Sequence, residues 1–465
     1  MESFSTLRLL LNILTDAVTT IEGVYADAGQ PLPSLDEPFV HDHPSEALKR
    51  DPRVSDAAKN IMAAASQMTA LVCDPVTMVI NRAFAFHISS CLRAASEINV
   101  VEILREAGSK GTHVKQIAAP SRTNPGLVAR ILRLLATHHI FREVSPDVFC
   151  NNRLSSTLDK EKSTKELFDN RQERLTGTSG VAALAESAAE NSFKGSAFLA
   201  DTLLQPDDLR LPFNLAFRTD EALFKFLQRP ENSYSRRRFA VGMKGTAASD
   251  PPDLILQGFE WGKLPSGAVV VDVGGGVGHA SLVLALAHPR LRIINQDLAP
   301  AIELSKVHWK QNFPTHFDQG LVGFQVHDFF TPQPVKDAAI FLLRYIIHDW
   351  TDAQAVTILK HLRESATATT QLVLLEKIIP VASTEAHCHV IPGAQHQHAP
   401  PPLLPNWGEA SAEIYFYDMT MHNMLGGVER TVGGFVEILV QSGWKLVQIH
   451  HCPTSPLSQI VAIPV

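Results

Sequence analysis

Residues 269–279 read Val-Val-Val-Asp-Val-Gly-Gly-Gly-Val-Gly-His, and no other stretch restricts the fold as tightly. A run of β-branched residues, which favour strands, carries an acid into a glycine-rich turn. The turn opens an apolar helix over 280–287, and a second apolar strand over 291–294 ends in Asp297. This is one β-α-β unit with an acid at the end of each strand. Its glycines let a ligand approach the backbone, and its helix start offers unpaired N–H groups. A carboxylate after the second strand is placed to accept hydrogen bonds from ribose hydroxyls.

The dinucleotide spacing G-x-G-x-x-G fails here, because counting from Gly274 the third glycine position holds His279. Asp272 would also set a negative charge beside a pyrophosphate. A cationic ligand without phosphate suits that acid better. S-adenosylmethionine, with a sulfonium, an ammonium and a ribose, is therefore favoured over NAD.

The chain has 465 residues, enough for two or three domains with a sizeable core. A net charge of −7 and the absence of a long basic stretch argue against nucleic acid or an anionic membrane as the main partner. The five cysteines are scattered and show no C-x-x-C pair, which points to a reducing, cytoplasmic setting. The first residues do not form a clean signal peptide, and no uncharged apolar run of about 18 residues predicts a membrane span.

Four segments are expected: a helical extension over 1–75, a winged-helix module over 76–160, a helical region over 161–250 and an α/β domain over 251–465. Leu7, Leu10, Leu11, Leu14 and Val18 recur at helical spacing over 1–25, and prolines mark 28–56 as a meandering connection. In the module, 100–107 and 112–118 read as helices. Asn124-Pro125 caps a third, and 141–144 with 147–150 read as a hairpin. That third helix carries only Arg130 and Arg133 as cations, few for a helix that reads DNA. Dimerisation is the better reading.

From 251 onward strands and helices alternate, with strands expected at 268–273, 291–296, 322–326, 338–344, 371–376, 444–450 and 458–463. Such alternation means a doubly wound parallel sheet, whose ligands lie beyond the strand C-termini. Asp272, Asp297, Asp328, His348 and Glu376 all fall near such ends. His348, in Arg344-Tyr345-Ile346-Ile347-His348-Asp349-Trp350, follows an apolar strand. With an ordinary pKa near 6.5 it would be neutral at pH 7 and could accept a proton. Glu376 or Glu429 could hold its ring in one tautomer, as the acid of a triad does. The segment 381–408 is rich in proline and histidine (His387, His389, His396, His398), but no Cys/His spacing matches a tetrahedral metal site. No metal is expected.

These motifs together resemble the S-adenosylmethionine-dependent O-methyltransferases of the caffeic acid/flavonoid type, and especially fungal relatives acting on phenols and polyketides. The matching pieces are 271–278, Asp297-Leu298, His327-Asp328-Phe329-Phe330, 344–350, Glu376 before Ile378-Ile379-Pro380, and Gly426-Gly427-Val428-Glu429-Arg430-Thr431. The resemblance covers about residues 80–460. It implies a class I methyltransferase domain of Rossmann-like form behind an N-terminal dimerisation domain. It further implies that Gly274 and Gly276 line the methionine end of the cofactor near Asp272, that Asp297 binds ribose and that Asp328 and Phe329 meet the adenine. Arg344 stands where plant members carry a lysine near the cofactor. His348 would be the base, flanked by Glu376 and Glu429. Phe213 and Phe217, less firmly Phe224 and Phe226, and Met421 with Asn423 would line the acceptor site. The extension over 1–75 and the 381–408 loop depart from the plant pattern.

The expected activity is metal-independent methyl transfer to a hydroxyl of a phenolic or polyketide-type small molecule by a homodimer, without nucleic acid or membrane. An N- or C-methyltransferase on the same fold would keep the glycine turn without needing His348. A winged-helix regulator that senses the cofactor would need a basic face, and a catalytically dead partner subunit would not need the His348, Glu376 and Glu429 set. The acceptor itself is not written in these motifs.

Overall fold

In a computed structural model, residues 2–383, 391–395, 398–452 and 455–465 are described. The expectations for His387, His389 and His396 fall outside them. The chain divides into two compact units, Met1–Ser249 and Asp250–Val465.

The first unit is mainly helical. Its first helix, Glu2–Asp27, lies along the helix Pro52–Val72. Leu10, Ala17 and Val24 are the buried apolar positions, spaced by seven, with Tyr25 beside the last. The stripe expected from the sequence is only partly inward, since Leu11 and Val18 are exposed. Residues Ser5–Asp27 are long and apolar enough, by length and composition, to cross a membrane. That corrects the expectation that no segment is, because charge is sparse there rather than absent.

A second core gathers Val100, Leu104, Ile117, Leu132, Leu135 and Phe149. The helix Pro125–Thr137 starts where expected: the Asn124 side chain accepts from the Leu127 N–H at 3.0 Å, and Pro125 takes the first turn. Residues 112–118 are not one helix. Thr112–His113 (β1) pairs with Val148–Cys150 (β3), which also pairs with Arg142–Ser145 (β2), and only Val114–Ala118 is helical. The β-branched Thr112 finds a strand partner that no local pattern announces. Arg133 is held by Glu143 (2.6 Å) and Asp147 (2.8 Å), so one of the two arginines weighed for DNA is already paired.

The second unit is built on a seven-stranded sheet. Its strands are β4 (Val269–Val273), β5 (Arg292–Asp297), β6 (Val322–Val326), β7 (Ile340–Arg344), β8 (Gln371–Lys377), β9 (Trp444–His451) and β10 (Leu457–Pro464). The order across the sheet is β6-β5-β4-β7-β8-β10-β9. All pairs from β6 to β8 are parallel, whereas β10 runs antiparallel to both its neighbours, an exception to the all-parallel expectation.

The period of two along β4 decides the layering. Val269, Val271 and Val273 join the core made with helices Asp352–Arg363 and Val432–Gln441. Val270 joins the opposite core with Leu282, Leu284, Trp261 and Trp309. Each such fully buried aliphatic side chain contributes roughly 1.5–3 kcal/mol. From β4 the chain winds outward through β5 to β6, then returns to the other side of β4 as β7. A crevice therefore opens past the C-terminal ends of β4 and β7, the usual ligand position in such sheets.

Candidate active site

Two loops meet at that crevice. The turn after β4 holds Gly274 and Gly276 at φ +70° and +58°, a region side chains rarely tolerate. A Cβ added to Gly274 would stand 2.6 Å from Cδ1 of Ile346, on the loop after β7. The glycine is thus what lets the two loops touch.

Asp272 closes β4 and is 2% exposed, with Oδ2 lacking a hydrogen-bond partner among the described residues. Burial pushes its carboxyl up to about 6, although a hydrogen bond with Ser281 and the nearby Arg344 work the other way. Asp297, at the end of β5, accepts from the Gly276 N–H (2.8 Å) and from its neighbour Leu298 (2.6 Å). Nothing lies within 4 Å of where a Gly276 Cβ would be, so the turn is open on that side. A buried acid with an unspent oxygen, beside open backbone, fits a ligand that brings a cation. Asp328 Oδ1 caps its own turn by accepting from Phe330 N at 3.0 Å. Phe329 packs on Phe330 and Trp350, with Cε1 also 3.4 Å from the Gly274 Cβ position.

The loop after β7 bends at Tyr345, whose φ is +55°, into the short 3₁₀ turn Ile347–Asp349. His348 Nδ1–H donates to Glu429 Oε1 at 2.8 Å, and its Nε2 lies 3.4 Å from Asp349 Oδ1. Glu376, fully buried at the end of β8, does not bond the ring. Its Oε1 accepts from the Ile346 and Ile347 N–H groups at 3.0 and 2.8 Å, which fixes the loop that carries His348. Of the two acids weighed for orienting the imidazole, the contact belongs to Glu429.

Burial works against a charged imidazole. The Glu376 carboxylate, the hydrogen bond donated to Glu429 and the Asp349 carboxylate outweigh it and raise His348 to about 9. The sequence expectation of a ring neutral at pH 7 is corrected by this ring of acids. Glu376 is itself pushed up to about 7 by burial, against the pull of His348. One donor atom from each of His348, Glu376 and Glu429 lies within 4.8 Å of the others, a spacing that could also hold a metal ion.

Several functional neighbours were not visible in the sequence. Asn295 is fully buried and donates to the Gly276 carbonyl (2.9 Å) and Ser305 (2.8 Å), bracing the turn from β5. Arg430 donates to the carbonyls of Ile347 and Trp350, both at 2.9 Å, strapping the His348 loop from outside. Gly427 lies against that loop, so an added Cβ would collide with the His348 carbonyl oxygen. The Gly-Gly pair before Glu429 was the available signal. Arg344 donates to Asp250 Oδ2 at 3.2 Å and so orders the start of this unit.

Of the residues expected at the acceptor, Asn423 is buried on the helix Ala412–Leu425 with Oδ1 lacking a hydrogen-bond partner among the described residues, and Met421 is half-buried on the same helix. In the first unit Phe213, Phe217 and Phe226 form an aromatic triad with centroids 5.0–5.5 Å apart. Phe224 turns away and meets Phe239.

Comparison with known proteins agrees with this geometry. Residues 199–391 match an O-methyltransferase domain, and residues 80–161 match an O-methyltransferase dimerisation domain. An O-methyltransferase of Armillaria gallica is 40% identical over 99% of this chain and 100% of its own length.

The chain belongs to the S-adenosylmethionine-dependent O-methyltransferases.

A 4-O-methyltransferase of Phanerochaete chrysosporium is 39% identical, with 96% of each chain covered. Among solved structures, OxaC in complex with SAH and oxaline has a TM-score of 0.65 at 19% identity, covering 98% of this chain and 100% of that one. The fold is thus a class I methyltransferase domain with an N-terminal helical dimerisation domain, and S-adenosylmethionine is the methyl donor.

Proposed function

We propose that this O-methyltransferase methylates a hydroxyl of a phenolic or polyketide-type small molecule, with His348 as general base and no metal ion. The observation that carries the reading is the 2.8 Å hydrogen bond from His348 to the buried Glu429, set on a loop that touches the glycine turn. Asp272, Gly274, Gly276 and Asp297 would hold the methionine end and ribose of the cofactor, with Asp328, Phe329 and Arg344 toward its remainder. When bound, the cofactor supplies a methyl group activated on a sulfonium.

The residues of the chain supply position and a proton site. With Nδ1–H committed to Glu429, Nε2 is the atom left to take the hydroxyl proton. Glu429 then stabilises the imidazolium, while Glu376 and Arg430 keep the loop still. The raised pKa of His348 matters here. A base near 9 accepts a proton from a phenol near 10 at a cost on the order of 1 kcal/mol, several kcal/mol less than a base at 6.5 would need. The compensating loss is that only a small fraction of the free enzyme is in the base form at pH 7.

His348→Ala should lower kcat by about 10²–10⁴ on a phenol, with cofactor affinity kept. Near wild-type turnover by that variant would remove His348 from catalysis and favour an N- or C-methyltransferase. Activity that survives exhaustive chelation would separate proton transfer from metal-assisted chemistry at the same three residues.

The protein is proposed to work as a homodimer. What supports this is the matched dimerisation domain together with the exposed apolar residues Val76, Val79, Ile80 and Phe84 on the helix Pro75–Phe84 and Leu11 and Val18 on the first helix.

A further inference from the structure

Lys377 is the last residue of β8, one step beyond Glu376. Its side chain therefore leaves the strand on the face opposite to Glu376. There Nζ sits 3.2 Å above the ring of Tyr417, on the helix Ala412–Leu425, and 5.7 Å from the ring of Tyr345. The Tyr345 ring is in turn 5.3 Å from the His348 imidazole. Lys377 is 3% exposed, yet its ammonium makes no hydrogen bond among the described residues.

An ammonium on so buried a side chain, with its N–H donors unspent, favours a partner that accepts from it. Burial does push this amine toward its neutral form, but Glu429, Glu413, Asp250 and Glu376 stand near enough to favour the charge. None of these acids takes the donors. Asp250 is occupied by Arg344, Tyr345 and Ser455, and Glu429 by His348. The aromatic ring beneath stabilises a cation without consuming an N–H. The acids offset part of that push, and the hydrogen bonds of Lys377 stay available at the end of the sheet where the ligand crevice lies.

We propose that Lys377 is a recognition residue for the acceptor, and that it binds a negatively charged oxygen, a carboxylate or a second phenolate, carried on the molecule whose hydroxyl is methylated. The inference rests on methyl transfer at the His348 site. An ammonium is a point charge that accepts such an oxygen from several directions, so it reads charge more than shape. An ionised acceptor would receive a charge-assisted hydrogen bond, and a neutral analogue would leave the ammonium unpaired.

The test uses the full-length enzyme with S-adenosylmethionine and paired probes: a set of hydroxybenzoic acids and their methyl esters, each bearing the same free hydroxyl. The wild type should prefer the acids in kcat/KM. Lys377→Met, which keeps the volume and the stacking on Tyr417, should lose about 10–100-fold on the acids, chiefly through KM, and change less than about threefold on the esters. Lys377→Arg should restore part of the preference. Equal losses on acids and esters, or a wild type that prefers the esters, would overturn the proposal and leave Lys377 a structural cation. His348→Ala, run beside it, separates the two readings. Loss on acids and esters alike upholds the base whatever Lys377 does, whereas retained turnover refutes the base and still lets the acid-to-ester ratio report on Lys377.

Discussion

At the scale of single residues, the site is governed by the crowding of acids around one imidazole. The kcat/KM profile should follow from it. His348 is held protonated up to about 9, so its base form grows as pH rises, and kcat/KM on a phenol should climb through neutral pH and level off near 9. Glu429→Gln removes one of the groups that raise the pKa, so the rising limb should move to lower pH while the maximum rate falls. A limb that stays in place would mean that Glu429 does not report on the titrating group. Because His348, Glu376 and Asp349 interact, the measured values belong to the cluster and not to one residue. The residues of this cluster could be read from strand-end positions in the sequence. Their electrostatics could not, since those depend on burial and on Glu376 turning to the backbone, which no local pattern encodes.

At the scale of elements, the strands were legible because each has a β-branched or apolar run of the right length, and in the structure each begins and ends within two residues of where the pattern put it. What escaped was pairing at a distance. The two-residue β1 has no period to show, and β10 reverses direction only because of what lies on either side of it. The straps on the His348 loop escaped for the same reason, since Arg430 and Gly427 reach it from about eighty residues away in sequence. Gly427 gives the sharpest test of that packing. Gly427→Ala must push the loop aside, because the contact is with backbone and not with a yielding side chain. The variant should fold, bind cofactor and lose about 10²-fold or more in kcat, the scale of a misplacement near 1 Å. Unaltered kcat would show that the loop tolerates the shift.

At the scale of the whole molecule, the first unit carries a run of exposed apolar residues on the helix Pro75–Phe84. Val79→Asp with Phe84→Asp places charges on an exposed helix face, where the fold of one chain loses little. Sedimentation at micromolar concentration should show a dimer for the wild type and a monomer for the double variant. A wild-type monomer of full activity would refute the dimer. The second unit holds another kind of independence. His348, Glu429, Glu376 and the glycine turn all come from Asp250–Val465, and hydrogen bonds within that unit hold them in place. Substitutions confined to residues 1–249 therefore leave every one of those hydrogen bonds in place, and a lineage can drift in that stretch without rebuilding the machinery of transfer.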